Sequence, residues 1–377
     1  MKACLSNALS SYPYEWELTP QNSPTDPFVF EEGLLKEDLW SFGYFWSEVV
    51  RQFPTIEQLY RAIYDLHQKI ETIKESFRLQ AESFPEWRME PNESRGVCGS
   101  YFLVDEEGER RFVVKPLDED AGCIHSDGFA TPFTSSPFRS NIPLYRSSMR
   151  EVLAYRVAVA IGVGSIVPKT ELGIFTSDQF HRFSEGIDGK ELSRYFEECG
   201  PEGREKLCSV QEYVPHAKSL FEALHELEGG GLSDEEIAHR FDQTDFEDAN
   251  ILLWTNYDTD GHMGNFLVYP KGVDEIGNEI LSLKKIDHGL AFPDKNRQLK
   301  NSLSYLPNAK RPLSAEGKAK IAAVDGEQLA KQFEQMGLES AVAALKERIS
   351  ILQALAKKTD ITIQEIDRAM SKIGKKL

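Results

Sequence analysis

The sequence predicts an α+β fold in two lobes, with an added N-terminal helical region. Three observations carry it. Apolar residues recur at helical spacing early in the chain. A β-rich stretch holding a single helix begins at Gly96. The remainder is helical except for two short apolar strands. The expected divisions are 1–92 for the helical region, 93–210 for the first lobe, 211–325 for the second, and 326–377 for C-terminal helices.

Residues 1–35 carry several Pro, Ser and Asn residues and read as irregular. Ile56, Leu59, Ile63, Leu66, Ile70, Ile73 and Phe77 are spaced 3, 4, 3, 4, 3, 4, which gives an amphipathic helix within 55–83 that starts near Pro54 or Thr55. The aromatic segment Leu39–Val50 is expected to pack on it, as a cap on the core rather than a coiled coil. Val97–Asp105 and Arg111–Lys115 flank Asp105-Glu106-Glu107-Gly108 as a β-hairpin would. Residues 117–148 are rich in Ser, Pro, Gly and Asp and read as a long loop. Arg150–Ile161 has a broad apolar face and reads as a helix. Ile166–Phe175 and Ser209–Val214 read as strands, and the glycines 229–231 as a loop. Phe246–Tyr257 is helical, and Phe266–Tyr269 and Leu281–Ile286 are the two short strands. After Pro312 the pattern is helical, with breaks near Asp325, Gly337 and Thr359.

Composition bounds the function. The chain has 377 residues, enough for a large core, and is 41% hydrophobic and 28% charged. No apolar run has the length of a bilayer span. Met1–Ser6 has one Lys and no apolar stretch, unlike a secretory signal, although export by another route, including delivery into a host cell, stays open. The five cysteines are odd in number and lack a CxxC, which argues against disulfides and a structural zinc. The net charge of −18 argues against nucleic-acid binding. That charge is uneven. Residues 178–260 hold 21 acids and 7 bases, whereas 284–320 hold nine bases against Asp287, Asp294 and Glu316. The basic stretch is either a solvated face or the seat of an anionic substrate.

The chemistry concentrates in two segments. Asp260-Gly261-His262-Met263-Gly264-Asn265 runs into the apolar Phe266-Leu267-Val268, and Lys285-Ile286-Asp287-His288-Gly289 ends a second apolar approach. That is the arrangement of a phosphoryl-transfer site. Asp260 would address the attacking hydroxyl, while Asn265 and Asp287 would hold the Mg²⁺ or Mn²⁺ that carries the ATP phosphates. Each motif alone is an ordinary Asp/Gly/Asn turn; together and in this order they are not. Asp258 is a second acid that competes for the catalytic role. His262 is expected to brace the loop by hydrogen bonding. Lys115 ends an apolar strand, where a lysine can contact the α/β-phosphates; an exposed edge lysine is the alternative. Ser100 and Tyr101 lie on the preceding strand, whose backbone N–H groups could approach phosphates. Glu151 near the start of its helix either pairs with Lys115 or simply favours the helix dipole. Glu212, Tyr213 and Val214 look like the segment whose backbone meets the adenine edge.

Together these residues resemble the phosphatidylinositol 3-/4-kinase superfamily, and most closely the type II phosphatidylinositol 4-kinases and their bacterial relatives. The matching pieces run in order from Gly99-Ser100-Tyr101-Phe102 through Val113-Val114-Lys115-Pro116, Glu151–Ile161, Val210–Val214 and Asp260–Asn265 to Ile286–Pro293. The resemblance implies a two-lobed lipid/protein kinase-like fold with ATP between the lobes. It implies Lys115 as the phosphate-binding lysine, Asp260 as the catalytic aspartate, and Asn265 and Asp287 as metal ligands. The implied reaction is γ-phosphate transfer to a phosphoinositide, with cytoplasmic or peripheral membrane location. The chain departs from the type II enzymes in its 117–148 loop, where Cys123 is the sole cysteine in place of a cysteine-rich palmitoylation motif. The superfamily also contains bacterial enzymes that phosphorylate proteins, so a protein acceptor is the alternative, and a pseudokinase the third reading.

Overall fold

The computed structural model describes residues 68–92, 99–120, 146–176, 205–296 and 299–373. The aromatic segment 39–50, the first turns of the early helix, most of the 117–148 loop, the 178–204 part of the acidic stretch and Arg297 lie outside the described residues. The described residues divide into two compact units. The first draws on Met1–Glu107, Val114–Ser136 and Gly173–Cys208, and the second on Gly108–Val113, Pro137–Leu172 and Ser209–Leu377. Both are α+β, the class expected. Among the described residues no helix is long and apolar enough to cross a membrane.

Strands β1 (Arg88–Pro91), β2 (Tyr101–Val104), β3 (Arg110–Pro116), β4 (Thr170–Thr176) and β5 (Glu205–Glu212) form a sheet in the order β1-β2-β3-β5-β4. β1 and β2 are antiparallel, with Arg88 opposite Val104. The turn between β2 and β3 uses Gly108 at φ +85°, a conformation that favours glycine. This is the predicted hairpin. Strand alternation turns Tyr101 and Leu103 inward, and both are buried. In the first unit, residues 68–77 form the described part of the predicted helix, and Ile70, Ile73 and Phe77 are its buried face. Lys74 is buried there too, paired with Glu71.

The first unit also buries a charged cluster. The Lys206 ammonium lies 2.7 Å from Glu119 and 3.2 Å from Asp118, and the Tyr101 hydroxyl donates to Glu119 at 2.7 Å. Burial raises the Glu119 carboxyl above its ordinary range, against the pull of Lys206. The cluster sits against the strand entry. Gly99 donates its N–H to the Glu119 carbonyl at 3.0 Å, and a Cβ at Gly99 would lie 1.9 Å from the Glu119 carboxylate.

The second unit is built around α4 (Gln243–Asn256), which is buried almost all round, as a helix at the centre of a core must be. Upstream stand α1 (Ser147–Ala160), α2 (Leu220–Gly229) and α3 (Asp234–Arg240). Ser219 and Ser233 close capping boxes on α2 and α3 with Glu222 and Glu236, which hold those carboxyls below their usual range. β6 (Lys218–Ser219), just before α2, forms a second sheet with β7 (Phe266–Val273) and β8 (Glu279–Lys285), which follow α4. Four helices finish the chain: α5 (Ala315–Ala323), α6 (Gly326–Gln335), α7 (Val342–Ala356) and α8 (Ile363–Met370). Their breaks fall where the sequence places them, with Asp325 capping α6 and Gly337 at φ +66°.

Two long-range contacts tie α7 and α8 to α4. Arg348 is fully buried, donates to the Thr255 carbonyl at 3.1 Å and to Asn296 at 2.8 Å, and lies 5.6 Å from the Tyr257 ring centre. Burial pulls its guanidinium down to about 9. Asp367 accepts from the Trp254 indole at 3.2 Å and from Asn301 at 2.7 Å.

Candidate active site

Helix α4 ends at Tyr257, whose left-handed φ of +50° turns the chain away from the helix axis. The next residue, Asp258, is fully buried, and its carboxylate receives the Lys285 ammonium at 2.8 Å; neither side chain exceeds 1% exposure. The second Asp258 oxygen accepts the Asp260 N–H at 2.8 Å. Lys285 also donates to the carbonyls of Ile286 at 2.6 Å and Asp287 at 3.2 Å. A buried ion pair therefore fixes both motif segments at once. The two acids of the loop divide their work: Asp258 is internal scaffolding, and Asp260 is the one that reaches solvent.

Asp260 keeps a half-buried side chain. The His262 imidazole is 3.7 Å from its carboxylate, and the Lys300 ammonium is 3.6 Å away. Burial raises its carboxyl pKa; His262 and Lys300 oppose that, while Asp287 and Asp258 add to it. Asp287 is thus close enough for its charge to be felt at Asp260. The loop then closes on itself. Asn265 donates its amide to the Asp260 carbonyl at 2.9 Å and its N–H to the His262 carbonyl at 3.0 Å. His262 Nδ1 accepts the Gly264 N–H at 3.0 Å, which is a loop-bracing contact of the expected kind.

The register of the β7/β8 hairpin explains the spacing of the two motifs. Phe266 faces Lys285 and Leu267 faces Lys284, so Asn265 falls beside Ile286, whose N–H it accepts at 3.0 Å. Asp287 follows at once, at φ +58°, unusual for a residue other than glycine. The donor set fits a hard divalent cation. The Asn265 amide nitrogen is committed to Asp260, which leaves its oxygen as an acceptor, and Asp287 is exposed. Two oxygen donors suit a magnesium that takes its other ligands from phosphates and water. Among the described residues no three His, Cys, Asp or Glu side chains gather as a metal site of their own.

Glu151 differs from expectation in its place on the helix. Helix α1 begins at Ser147, so Glu151 lies beyond the first turn and the helix dipole does not explain it. It is buried, and its carboxylate accepts the His288 N–H at 2.9 Å, which ties α1 to the Asp-x-Gly turn. In the first unit Lys115 is half-buried near the end of β3, and Ser100 accepts the Asn92 N–H at 3.0 Å. The Tyr101 side chain is spent on Glu119, so only its backbone is left for a ligand. The N–H groups of Glu212 and Tyr213 go to the carbonyls of Lys169 and Arg111, each at 2.8 Å.

Gly261 is required by close approach. A Cβ there would lie 2.2 Å from the Lys300 carbonyl, where backbone must move to admit it. Gly261→Ala should therefore destabilise by about 1–3 kcal/mol and reduce ligand affinity at the loop. A thermal melt of this variant indistinguishable from that of the parent would refute the close approach.

No protein-family model matches the chain. Among curated proteins it is similar to phosphatidylinositol 4-kinase gamma 6 of Arabidopsis thaliana, 29% identical over 237 residues, covering 61% of this chain and 34% of that one. It is also similar to phosphatidylinositol 4-kinase gamma 7 of the same plant, 28% identical over 236 residues, covering 61% and 32%. Phosphatidylinositol 4-kinase type 2-beta of Xenopus tropicalis is 27% identical over 263 residues, covering 59% and 52%. The match thus spans about a third of the plant relatives and about half of the frog one. Among solved structures, a Golgi casein kinase gives a TM-score of 0.45 at 12% identity, covering 93% of this chain and 94% of that one. At the level these relatives support, the chain is similar to phosphatidylinositol 4-kinases.

Proposed function

We propose that this chain is an ATP-dependent kinase that transfers the γ-phosphate to a hydroxyl acceptor, with a phosphoinositide as the acceptor. The observation that carries the reading is the hairpin register that sets Asn265 beside Ile286, one residue before Asp287, while the Asn265 amide grips the Asp260 loop. In this reading Asp260 orients the acceptor hydroxyl and takes its proton. Asn265 and Asp287 hold a divalent cation, which neutralises charge on the transferring phosphates. Lys115 keeps the phosphate-binding role its strand position suggests, and Val214 offers its N–H to the adenine edge. Glu151 acts through the His288 backbone, as a positioning residue for Asp287. The lipid acceptor draws its support from the names of the relatives and from the basic residues that follow Asp287.

The test uses labelled ATP with Mg²⁺ or Mn²⁺, phosphatidylinositol vesicles in one reaction and a protein lysate in another. Label in the lipid supports the reading in full; label in protein alone replaces the acceptor. Asp287→Ala should remove metal-dependent nucleotide binding, since the cation then keeps one protein ligand. Nucleotide affinity untouched by both this change and EDTA would end the kinase reading.

A further inference from the structure

Lys300 is the cation of the basic stretch that lies against the Asp260 carboxylate. Lys284, Lys285, Arg311, Lys318 and Lys320 are committed to protein acceptors. The Lys300 ammonium is 40% exposed and makes no hydrogen bond among the described residues. Its one charged neighbour there is the carboxylate of Asp260, at 3.6 Å. Nor is its position left to chance. Lys300 donates its N–H to the Asp258 carbonyl at 3.0 Å, and Ser302 donates to the Gly261 carbonyl at 3.0 Å, so hydrogen bonds bracket the residue on the Asp260 loop. Asn301 is pinned in turn, donating to Asn250 at 2.8 Å and Asp367 at 2.7 Å, and accepting from Leu303 at 3.0 Å. A lysine that merely attracts an anionic head group needs no such anchoring.

We infer that Lys300 is a catalytic residue whose ammonium stabilises the phosphoryl group as it passes from ATP to the acceptor. The inference rests on the kinase reading and deepens it. In the transfer, the acceptor oxygen bonds to the γ-phosphorus. The bond from that phosphorus to the β–γ bridging oxygen breaks, and its electron pair leaves with ADP. The acceptor proton passes to Asp260. A hydroxyl that gives its proton to Asp260 lies about 3 Å from that carboxylate. The phosphorus it attacks is then within reach of an ammonium held 3.6 Å from the same group. A cation whose backbone is anchored on the Asp260 loop, at the point where charge is redistributed, acts on the chemical step, whereas one elsewhere in the same stretch would act on acceptor binding.

The experiment compares Lys300→Met, Lys300→Arg, Lys331→Ala and Asp287→Ala with the parent. It measures kcat and both KM values with phosphatidylinositol vesicles, and ATP hydrolysis without acceptor. Lys300→Met should lower kcat and acceptor-free hydrolysis together by about 10²–10³-fold, with the acceptor KM within about twofold of the parent. Lys300→Arg should recover part of the loss, because the charge is kept. Lys331→Ala, an exposed lysine on α6, should leave kcat near that of the parent. A raised acceptor KM with unchanged kcat in Lys300→Met would overturn the assignment and make Lys300 an acceptor-binding residue. An arginine variant as inactive as the methionine one, with an equally lowered melting temperature, would make it structural. Full turnover by Asp287→Ala would instead reject the kinase reading itself, and this assignment with it.

Discussion

Asp258→Ala should cost about 3–5 kcal/mol of stability and abolish function, although Asp258 does not touch substrate. The change strands the Lys285 ammonium in a site where neither partner exceeds 1% exposure. A charge left there must deprotonate or draw in water, and both outcomes loosen the grip of Lys285 on the Ile286 and Asp287 carbonyls. Asp287, at a left-handed φ of +58°, is one of the two residues so held. Urea denaturation measures the loss. The sharper check is the pair Asp258→Leu with Lys285→Met, which removes both charges and should be less destabilised than either single change. A double variant no better than the worse single one would show that the two groups do not act as a unit.

Asp260→Ala, two residues on, should behave in the opposite way. Its melting temperature and nucleotide affinity should stay near those of the parent, while phosphoryl transfer falls by about 10²–10⁴-fold. Among the described residues the contacts of the carboxylate are all long: the Asn265 amide at 3.5 Å, the Lys300 ammonium at 3.6 Å and the His262 imidazole at 3.7 Å. It is the Asp260 carbonyl that holds the Asn265 amide, at 2.9 Å, and alanine keeps that carbonyl. Single-turnover kinetics beside a thermal melt separate the two variants. An Asp260→Ala protein with full activity and an unchanged melt would remove Asp260 from the reaction.

What the sequence made legible is what local pattern encodes. The two motif segments, the hairpin that joins them and the breaks at Asp325 and Gly337 are all short-range features, and they were readable for that reason. The partner of Asp258 was not read. Lys285 counts among the nine bases of 284–320, yet the alternation of Leu281, Leu283 and Lys285 places all three on one buried face. That signal was present. The inward turn of Tyr101 beside Leu103 is a second case of the same kind. By contrast, the Glu151 contact with the His288 backbone depends on how α1 meets the loop, and no spacing rule reports a bond to main chain. The same holds for Arg348 on Thr255 and Asp367 on Trp254, where periodicity finds the helices but not their neighbours.

Those last contacts bear on how the protein can be cut. A fragment ending at 325 would look reasonable by helix boundaries, since Asp325 is a natural stop. It would lose Arg348, and with it the donor on the Thr255 carbonyl immediately before the Asp258–Asn265 loop. It would also lose Asp367, leaving the Trp254 indole and the Asn301 amide short of an acceptor inside the core. A minimal expressible piece of this chain therefore has to run past Met370, and a shortened product should come out aggregated rather than merely inactive.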